Sequence, residues 1–235
     1  MGSKVAVITA RGGSKRIPRK NIRPFCGRPM IEYVIETAQQ SGLFHRILVS
    51  TDDEEIATVS RDAGAEVPFL RPAELANDTA GTLVVMEHAV NWLVENEFDC
   101  ELVCCLFPTS PFLEPEYLAR GAIALEEDPA AKFSFAVTTY ASPVFRSFSV
   151  DSEGDVSMFW PENETKRSQE LPEAFHDAGM FYWGRPDAFR FEERIYSARC
   201  KAVVMPRHLV HDLDTAEDWE RAELCYRAWR GVTVS

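Results

Sequence analysis

Lys4-Val-Ala-Val-Ile-Thr9 is followed directly by Ala10-Arg-Gly-Gly-Ser-Lys-Arg-Ile-Pro-Arg-Lys-Asn21. The first part is a short apolar run, which predicts a buried strand. The second part continues to residue 28 with glycine, proline and cations but no apolar periodicity, which indicates a long functional loop. Because open α/β sheets bind ligands at the carboxyl ends of their strands, this stretch predicts an α/β domain with its site at the loop.

Strand and helix signals alternate beyond the loop. Helices are predicted over 29–41, 53–62, 79–97 and 114–127, and strands over 46–50, 66–70, 102–107 and 133–139. This alternation implies right-handed βαβ crossovers and a mostly parallel sheet. Later segments add strands over 178–184 and 200–205 and a helix over 215–229 that begins with a capping-box pattern. No linker interrupts the pattern, so residues 1–235 are expected to form one domain.

Residues 141–177 depart from this pattern and look like an insertion. Two β-like runs, 144–150 and 156–160, are separated by a polar segment with Gly154, which predicts a hairpin. The segment carries four aromatic side chains, Phe145, Phe148, Phe159 and Trp160. This is more apolar area than an exposed hairpin should leave in water. We therefore expect a dimerisation lobe that packs against a second subunit of a homodimer.

Composition narrows the class of protein. With 46% hydrophobic and 26% charged residues, the 235-residue chain can bury a sizeable core and is neither disordered nor collagen-like. No apolar run approaches the roughly 20 residues of a membrane-spanning helix, so a cytoplasmic protein is expected. The six cysteines lack Cys-x-x-Cys spacing and are expected to be reduced. The net charge of −12 argues against a general nucleic-acid binder.

Charge is unevenly distributed along the chain. The first 31 residues carry eight basic side chains and no acidic one, while all 37 acidic side chains lie in the remaining sequence. Such a positive island can concentrate a small polyanion, although a solvated basic loop would have the same composition. Gly12 and Gly13 would expose backbone amides to an anion, and Arg11, Lys15 and Lys20 would neutralise phosphate charge. The loop has neither the P-loop order nor a Gly-x-Gly-x-x-Gly fingerprint.

Asp212 and Asp214 form a second candidate site. Spaced by two at the end of an apolar strand, both carboxylates would lie on one side, and such a pair is unfavourable unless a cation joins them. Mg²⁺ takes one or two carboxylates together with substrate phosphates and water. The alternative is simple capping of the following helix. Beside the separate cationic loop, which can neutralise phosphate charge, we favour a Mg²⁺ site.

Five motifs occur in the order found in the CMP-sialic acid synthetases, and the resemblance covers essentially the whole chain. They are the loop 10–21, Ser50-Thr-Asp52, Leu70-Arg-Pro-Ala-Glu-Leu75 with Asp78-Thr79, Pro108-Thr-Ser-Pro111 and Asp212-Leu-Asp-Thr215. The resemblance implies a three-layer, Rossmann-like nucleotidyltransferase fold. It also implies a Mg²⁺-dependent reaction in which CTP and a nine-carbon 2-keto sugar acid give the CMP-sugar and pyrophosphate.

Within this family, residues 158–163, 167–171 and 176–184 look like the branch that acts on pseudaminic acid. Where the sialate enzymes have Arg before Pro-Asn-Gly, this chain has His176 before Asp177-Ala-Gly, and Phe107 stands where they commonly have Gln. The expected reaction is therefore transfer of CMP to pseudaminic acid. Transfer to N-acetylneuraminate, legionaminate or a shorter keto-sugar acid is the alternative within the same chemistry.

The resemblance also implies roles for individual residues. The nucleotide and its triphosphate would be bound by Arg11, Gly12, Gly13, Ser14, Lys15, Lys20, Asn21, Arg71 and Thr82. The sugar acid would be bound by Thr109, Ser110, Arg167, Ser168, Gln169, His176 and Asp177. Arg11 and Lys20 would offset charge on the transferring and leaving phosphates, and Asp214 would help to hold the metal. The base stays open among Asp214, His176 and a hydroxide on the metal.

Two alternatives come from other classes of protein. A catalytically silent nucleotide-binding module could use the same loop as a sensor, but such a module has little use for Asp214 as a metal ligand. A structural protein built around the aromatic hairpin would leave the cationic loop unexplained. We therefore expect an enzyme.

Overall fold

The computed structural model describes residues 2–77, 79–191, 194–196 and 199–231, so Asp78 of the motif formed by residues 70–75 and Asp78-Thr79 lies outside it. Among the described residues, the helices are α1 (Met30–Ser41), α2 (Glu54–Asp62), α3 (Thr82–Glu95), α4 (Pro115–Glu127), α5 (Pro186–Phe191) and α6 (Ala216–Arg230). The strands are β1 (Lys4–Thr9), β2 (Pro24–Phe25), β3 (Arg28–Pro29), β4 (Arg46–Ser50), β5 (Leu102–Leu106), β6 (Phe133–Thr139), β7 (Phe148–Val150), β8 (Val156–Met158), β9 (Phe175–Gly184) and β10 (Cys200–Val204).

The main sheet has the order β10-β6-β9-β5-β1-β4 in the described part of the chain. β1 lies parallel to both β4 and β5, and β10 lies parallel to β6. β9 is antiparallel to its neighbours β5 and β6. The predicted α/β fold with a mostly parallel sheet is therefore confirmed.

Alternation along β1 divides the core into two layers. Val5 and Val7 pack on one face with the buried side of α3 and with α5, while Ala6 and Ile8 pack on the other face with α1, α4 and α6. Successive side chains of a strand point to opposite faces, so a fully apolar strand requires cover on both. The sheet is consequently the middle of three layers.

The reversed strand β9 follows from the insertion that precedes it. A parallel neighbour needs a crossover that returns the chain to the opposite end of the sheet, and a helix normally supplies it. Between β6 and β9 the chain forms only short 3₁₀ turns and the antiparallel pair β7 and β8. The chain therefore re-enters the sheet from the same end and runs antiparallel.

Two predicted elements differ in the structure. The predicted strand over 66–70 is wrong, because only isolated bridges from Glu66 to Leu48 and from Leu70 to Thr51 form. Pro68, at its centre, has no amide to donate to a ladder. The predicted helix over 79–97 is shorter: α3 begins at Thr82, because the backbone of Gly81 is extended (φ −71°, ψ 161°) and serves as the N-cap.

The hairpin predicted in the insertion is present as β7 and β8, with Gly154 at φ 91° in the connecting turn. Val150 and Val156, which pair across it, are 67% and 62% exposed. The six cysteines form no disulfide. Among the described residues, no helix combines the length and apolarity needed to cross a bilayer.

Candidate functional site

An open cleft of about 300 Å³ lies at the carboxyl ends of β1 and β5. Its polar lining consists of Thr9, Arg11, Ser14, Lys15, Arg16, Lys20, Asn21, Arg71, Asn77, Thr82, Thr109 and Asp214. Its apolar lining consists of Ile17, Leu75, Ala80, Val85, Phe107 and Pro108. Among the described residues of this lining, five are cations and one is a carboxylate, which is the charge balance expected of a site for a polyanion.

The loop after β1, residues 10–21, forms one wall of the cleft, and we call it the cradle. Near the beginning of the cradle, the amide of Gly12 donates a hydrogen bond to Asp52 Oδ1 at 3.0 Å, which holds the loop in place. A Cβ on Gly12 would lie 2.7 Å from Asp53 Oδ2, so this close approach requires glycine, whereas Gly13 has open space around it. Neither glycine lines the cleft. The side chain of Asn21 closes the cradle by donating to Arg11 O at 2.8 Å.

The cradle reaches across the cleft to the segment before α6. Lys20 Nζ donates to Leu213 O at 2.8 Å and lies 3.8 Å from Asp214 Oδ1, and Arg16 Nη1 donates to Asp214 Oδ2 at 2.6 Å. Burial lowers the pKa of Lys20, and the carboxylates of Asp214 and Asp212 oppose this shift. The two ends of the chain therefore build one site. Arg16 was not singled out from the sequence, where its only signal is its place among the cradle cations.

The geometry predicted for Asp212 and Asp214 is wrong in two respects. They follow a 3₁₀ turn, Arg207–Leu209, and lie in a loop rather than at the end of a strand. Asp214 lines the cleft, whereas Asp212 is exposed and does not. The capping box of α6 holds this loop, because Asp218 Oδ2 accepts the amides of both Asp214 and Thr215. Among the described residues, no group of three or more His, Cys, Asp or Glu side chains is arranged to hold a metal.

Two buried polar groups at the cleft lack hydrogen-bond partners. Arg71 is 5% exposed and its Nε has none, although its Nη2 lies 3.7 Å from Asp52 Oδ1. Ser110, next to the cleft residue Thr109, is 1% exposed and its Oγ has none. Burial lowers the pKa of Arg71, and Asp52 opposes that shift. Unsatisfied buried groups are costly, so their presence at a cleft indicates a place for a polar ligand.

The other side chains predicted to bind a sugar do not line the cleft. Arg167, Ser168 and Gln169 are exposed on the insertion. His176 lies edge-on to the ring of Tyr140, and its Nδ1 is 2.8 Å from Asp177 O. Within a single chain, these four residues therefore do not line the cleft beside the cradle.

Asp177 is occupied by its own neighbours. Its Oδ1 accepts the Gly179 amide at 2.6 Å, and its Oδ2 accepts the hydroxyls of Tyr182 and Tyr196. Both oxygens of Asp177 thus accept hydrogen bonds from the protein, and direct binding of the sugar by Asp177 stays a prediction. The Tyr182 ring packs edge-on at 5.6 Å against Phe107, which lines the cleft. Asp177 therefore contributes to this wall through the hydrogen bond that it accepts from Tyr182.

Comparisons with known proteins find relatives that match nearly the whole chain. Residues 5–227 match the model of a family described as cytidylyltransferase. The chain is 40% identical to the pseudaminic acid cytidylyltransferase of Campylobacter jejuni serotype O:2, over 95% of this chain and 96% of that protein. It is 30% identical to the CMP-N,N'-diacetyllegionaminic acid synthase of Legionella pneumophila, over 93% of this chain and 94% of that protein.

A solved structure has the same fold. It is that of CMP:2-keto-3-deoxy-manno-octonic acid synthetase complexed with CTP, which aligns with a TM-score of 0.69 at 19% identity. The alignment covers 97% of this chain and 99% of that one.

Proposed function

Because the chain belongs to the cytidylyltransferase family, we propose that it transfers CMP from CTP to the anomeric hydroxyl of pseudaminic acid and releases pyrophosphate. The observation that carries this choice of sugar is the 40% identity to a pseudaminic acid cytidylyltransferase over 95% of the chain. Identity to the legionaminic acid enzyme is lower, at 30%.

In this proposal, the cradle and its opposite wall bind CTP. Arg11, Ser14, Lys15, Asn21, Arg71 and Thr82 all line the cleft and would contact the nucleotide. The anomeric hydroxyl gives its proton to a base, for which Asp214, His176 and a hydroxide on the metal are the candidates, and its oxygen attacks the α-phosphorus. The bond between the α-phosphorus and the oxygen that bridges to the β-phosphorus breaks, and pyrophosphate leaves. Arg11 and Lys20 would offset the negative charge that develops on the transferring and leaving phosphates.

We propose Mg²⁺ as the cofactor, with Asp214 as its protein ligand. The donor set fits, because Mg²⁺ needs only one or two carboxylates when substrate phosphates and water complete its shell. The side chain of Arg16 is 69% exposed, so its ion pair with Asp214 is weak. Asp214 could therefore release Arg16 and bind the metal when the triphosphate enters. When bound, the ion would neutralise phosphate charge.

The sugar acid would bind beside Thr109 and the apolar wall at Phe107, next to the nucleotide. Arg167, Ser168 and Gln169 lie on the insertion, so we propose that they reach a sugar carboxylate across a homodimer interface, from the neighbouring subunit. The exposed aromatic side chains of the hairpin, including Phe148 at 54% and Phe159 at 58%, support such an interface.

The test is a panel of sugar acids. Purified protein is incubated with CTP, Mg²⁺ and each of pseudaminic acid, legionaminic acid and N-acetylneuraminic acid, and pyrophosphate release is measured. We expect the highest kcat/KM with pseudaminic acid. Equal or faster turnover of another sugar acid would contradict the choice of sugar. CTP binding without pyrophosphate release from any of them would favour a silent nucleotide-binding module.

A further inference from the structure

We propose that Arg19 is a positioning residue, which holds the cradle in its nucleotide-binding shape without touching the nucleotide. Arg19 lies within the cradle, between the cleft residues Ile17 and Lys20, yet it does not line the cleft. The inference rests on the proposed function, because it treats the cleft as a site for CTP.

The backbone of Arg19 adopts a conformation that arginine disfavours. Its φ is 57°, in the left-handed region that residues with a Cβ seldom occupy. The resulting turn is closed by two hydrogen bonds, from the amides of Ile22 and Arg23 to Arg19 O, at 3.0 and 2.8 Å. Ile17 and Lys20, on either side of Arg19 in the sequence, both line the cleft. A strained turn of this kind persists only where surrounding contacts hold it.

The side chain of Arg19 provides those contacts. Its Nη1 donates to Asp53 Oδ2 at 2.5 Å and its Nη2 donates to Asp53 Oδ1 at 2.9 Å, and Nη2 also contacts Glu55. A bidentate pair fixes orientation as well as distance. Asp53 is itself held in place, because it caps α2 by accepting the amides of Glu55 and Ile56. The turn is thus clamped to the start of a helix.

Asp52 and Asp53 anchor the cradle at two points. Asp52 holds the Gly12 amide near the beginning of the loop, and Asp53 holds Arg19 near its end. The cleft side chains Ser14, Lys15 and Arg16 lie between these anchors. Loss of the second anchor would loosen this end of the loop, where the hydrogen bonds of Lys20 and Asn21 remain, and CTP would have to order more of the loop as it binds.

Arg19→Gly separates the clamp from the backbone strain, because glycine suits a positive φ but carries no guanidinium. Arg28→Ala is a matched control. Arg28 lies shortly after the cradle and, like Arg19, pairs with two carboxylates, those of Glu32 and Glu36, but it does not line the cleft. CTP affinity is measured by calorimetry without sugar acid. We expect the dissociation constant to rise about tenfold in Arg19→Gly, to recover partly in Arg19→Lys and to be unchanged in Arg28→Ala.

Two further measurements distinguish positioning from a merely structural role. Without ligand, amide hydrogen exchange over residues 13–20 should be faster in Arg19→Gly than in the wild type. In steady state, the KM for CTP should rise while the KM for the sugar acid stays the same. If Arg19→Gly bound CTP as the wild type does, or lost only thermal stability, the inference would be overturned alone. A wild-type protein that bound no CTP would overturn the proposed function as well.

Discussion

Asp214 is the residue on which the reaction should depend most. Its carboxylate lines the cleft, and both of its oxygens face cradle cations. Asp214→Asn should lower kcat by about a hundredfold or more, as loss of other preorganised electrostatic groups does. Pyrophosphate release at saturating CTP and sugar acid measures the effect.

Asp212→Asn is the control for this change, because Asp212 has the same chemistry two residues away but does not line the cleft. We expect it to retain most of the wild-type kcat. Near-normal, Mg²⁺-dependent turnover by Asp214→Asn would remove Asp214 from the proposed metal site.

Asp53 gives the protein a defined pH response. The Arg19 guanidinium holds the pKa of Asp53 at about 2, below its ordinary value of 3.8. The ion pair therefore contributes to the free energy of unfolding above about pH 4, and this contribution is lost as the pH falls towards 2. Asn also caps helices well, so Asp53→Asn isolates the pairing with Arg19.

We expect the wild type to unfold in urea at higher concentration than Asp53→Asn near neutral pH, and the two midpoints to converge as the pH approaches 2. A difference that stayed constant over this range would show that the pair contributes nothing.

At the residue scale, the sequence predicts the residues that line the cleft better in the cradle than in the insertion. The cradle is continuous in sequence, so its glycines and cations reveal its chemistry together. Asp177 is different, because its role depends on Tyr182 and Tyr196 folding onto it. Its carboxylate is indistinguishable in sequence from one that binds a ligand.

At the scale of single elements, α4 offers a test in which two effects oppose each other. Replacing a helical glycine by alanine ordinarily stabilises a protein by about 1 kcal/mol. A Cβ on Gly121, however, would lie 2.5 Å from Cδ1 of Trp183, which is fully buried and stacked on Phe44. Overpacking costs about 1–3 kcal/mol, so Gly121→Ala should lower the free energy of unfolding.

Chemical denaturation measures this change, and Ile123→Ala on the exposed side of α4 is its control. We expect the control to shift stability by about 0.5 kcal/mol or less. A stabilised Gly121→Ala would mean that Trp183 can move aside.

Strands and helices are predicted well where one local signal decides them. β1, β4 and β6 have the predicted bounds, because each is an apolar run with clear ends. The errors occur where a single residue interrupts the pattern. Pro68 has no amide to donate to a ladder in an otherwise strand-like segment, and Gly81 is extended where a longer α3 would need helical backbone. The direction of β9 depends on the route of the whole insertion and has no local signal.

At the scale of the whole molecule, the insertion should control assembly. Val150 and Val156 pair across the hairpin and are mostly exposed, so charges there would disturb an interface but hardly the fold. We expect the wild type to be a dimer and Val150→Asp with Val156→Asp to be a monomer, as measured by light scattering after size-exclusion chromatography.

Leu224→Asp is the control for assembly, because Leu224 is equally apolar and 60% exposed but lies on α6. It should remain dimeric. A wild type that ran as a monomer would exclude the proposed role of the insertion.

The ion pair between Arg16 and Asp214 joins residues 198 positions apart. During synthesis, the first strands emerge from the ribosome long before their partner across the cleft exists. The sheet could begin to form on a growing chain, but the binding site cannot be complete until residue 214 has left the exit tunnel. Nascent chains that stop short of this point should therefore have no finished pocket for the nucleotide, however much of the core they have already built.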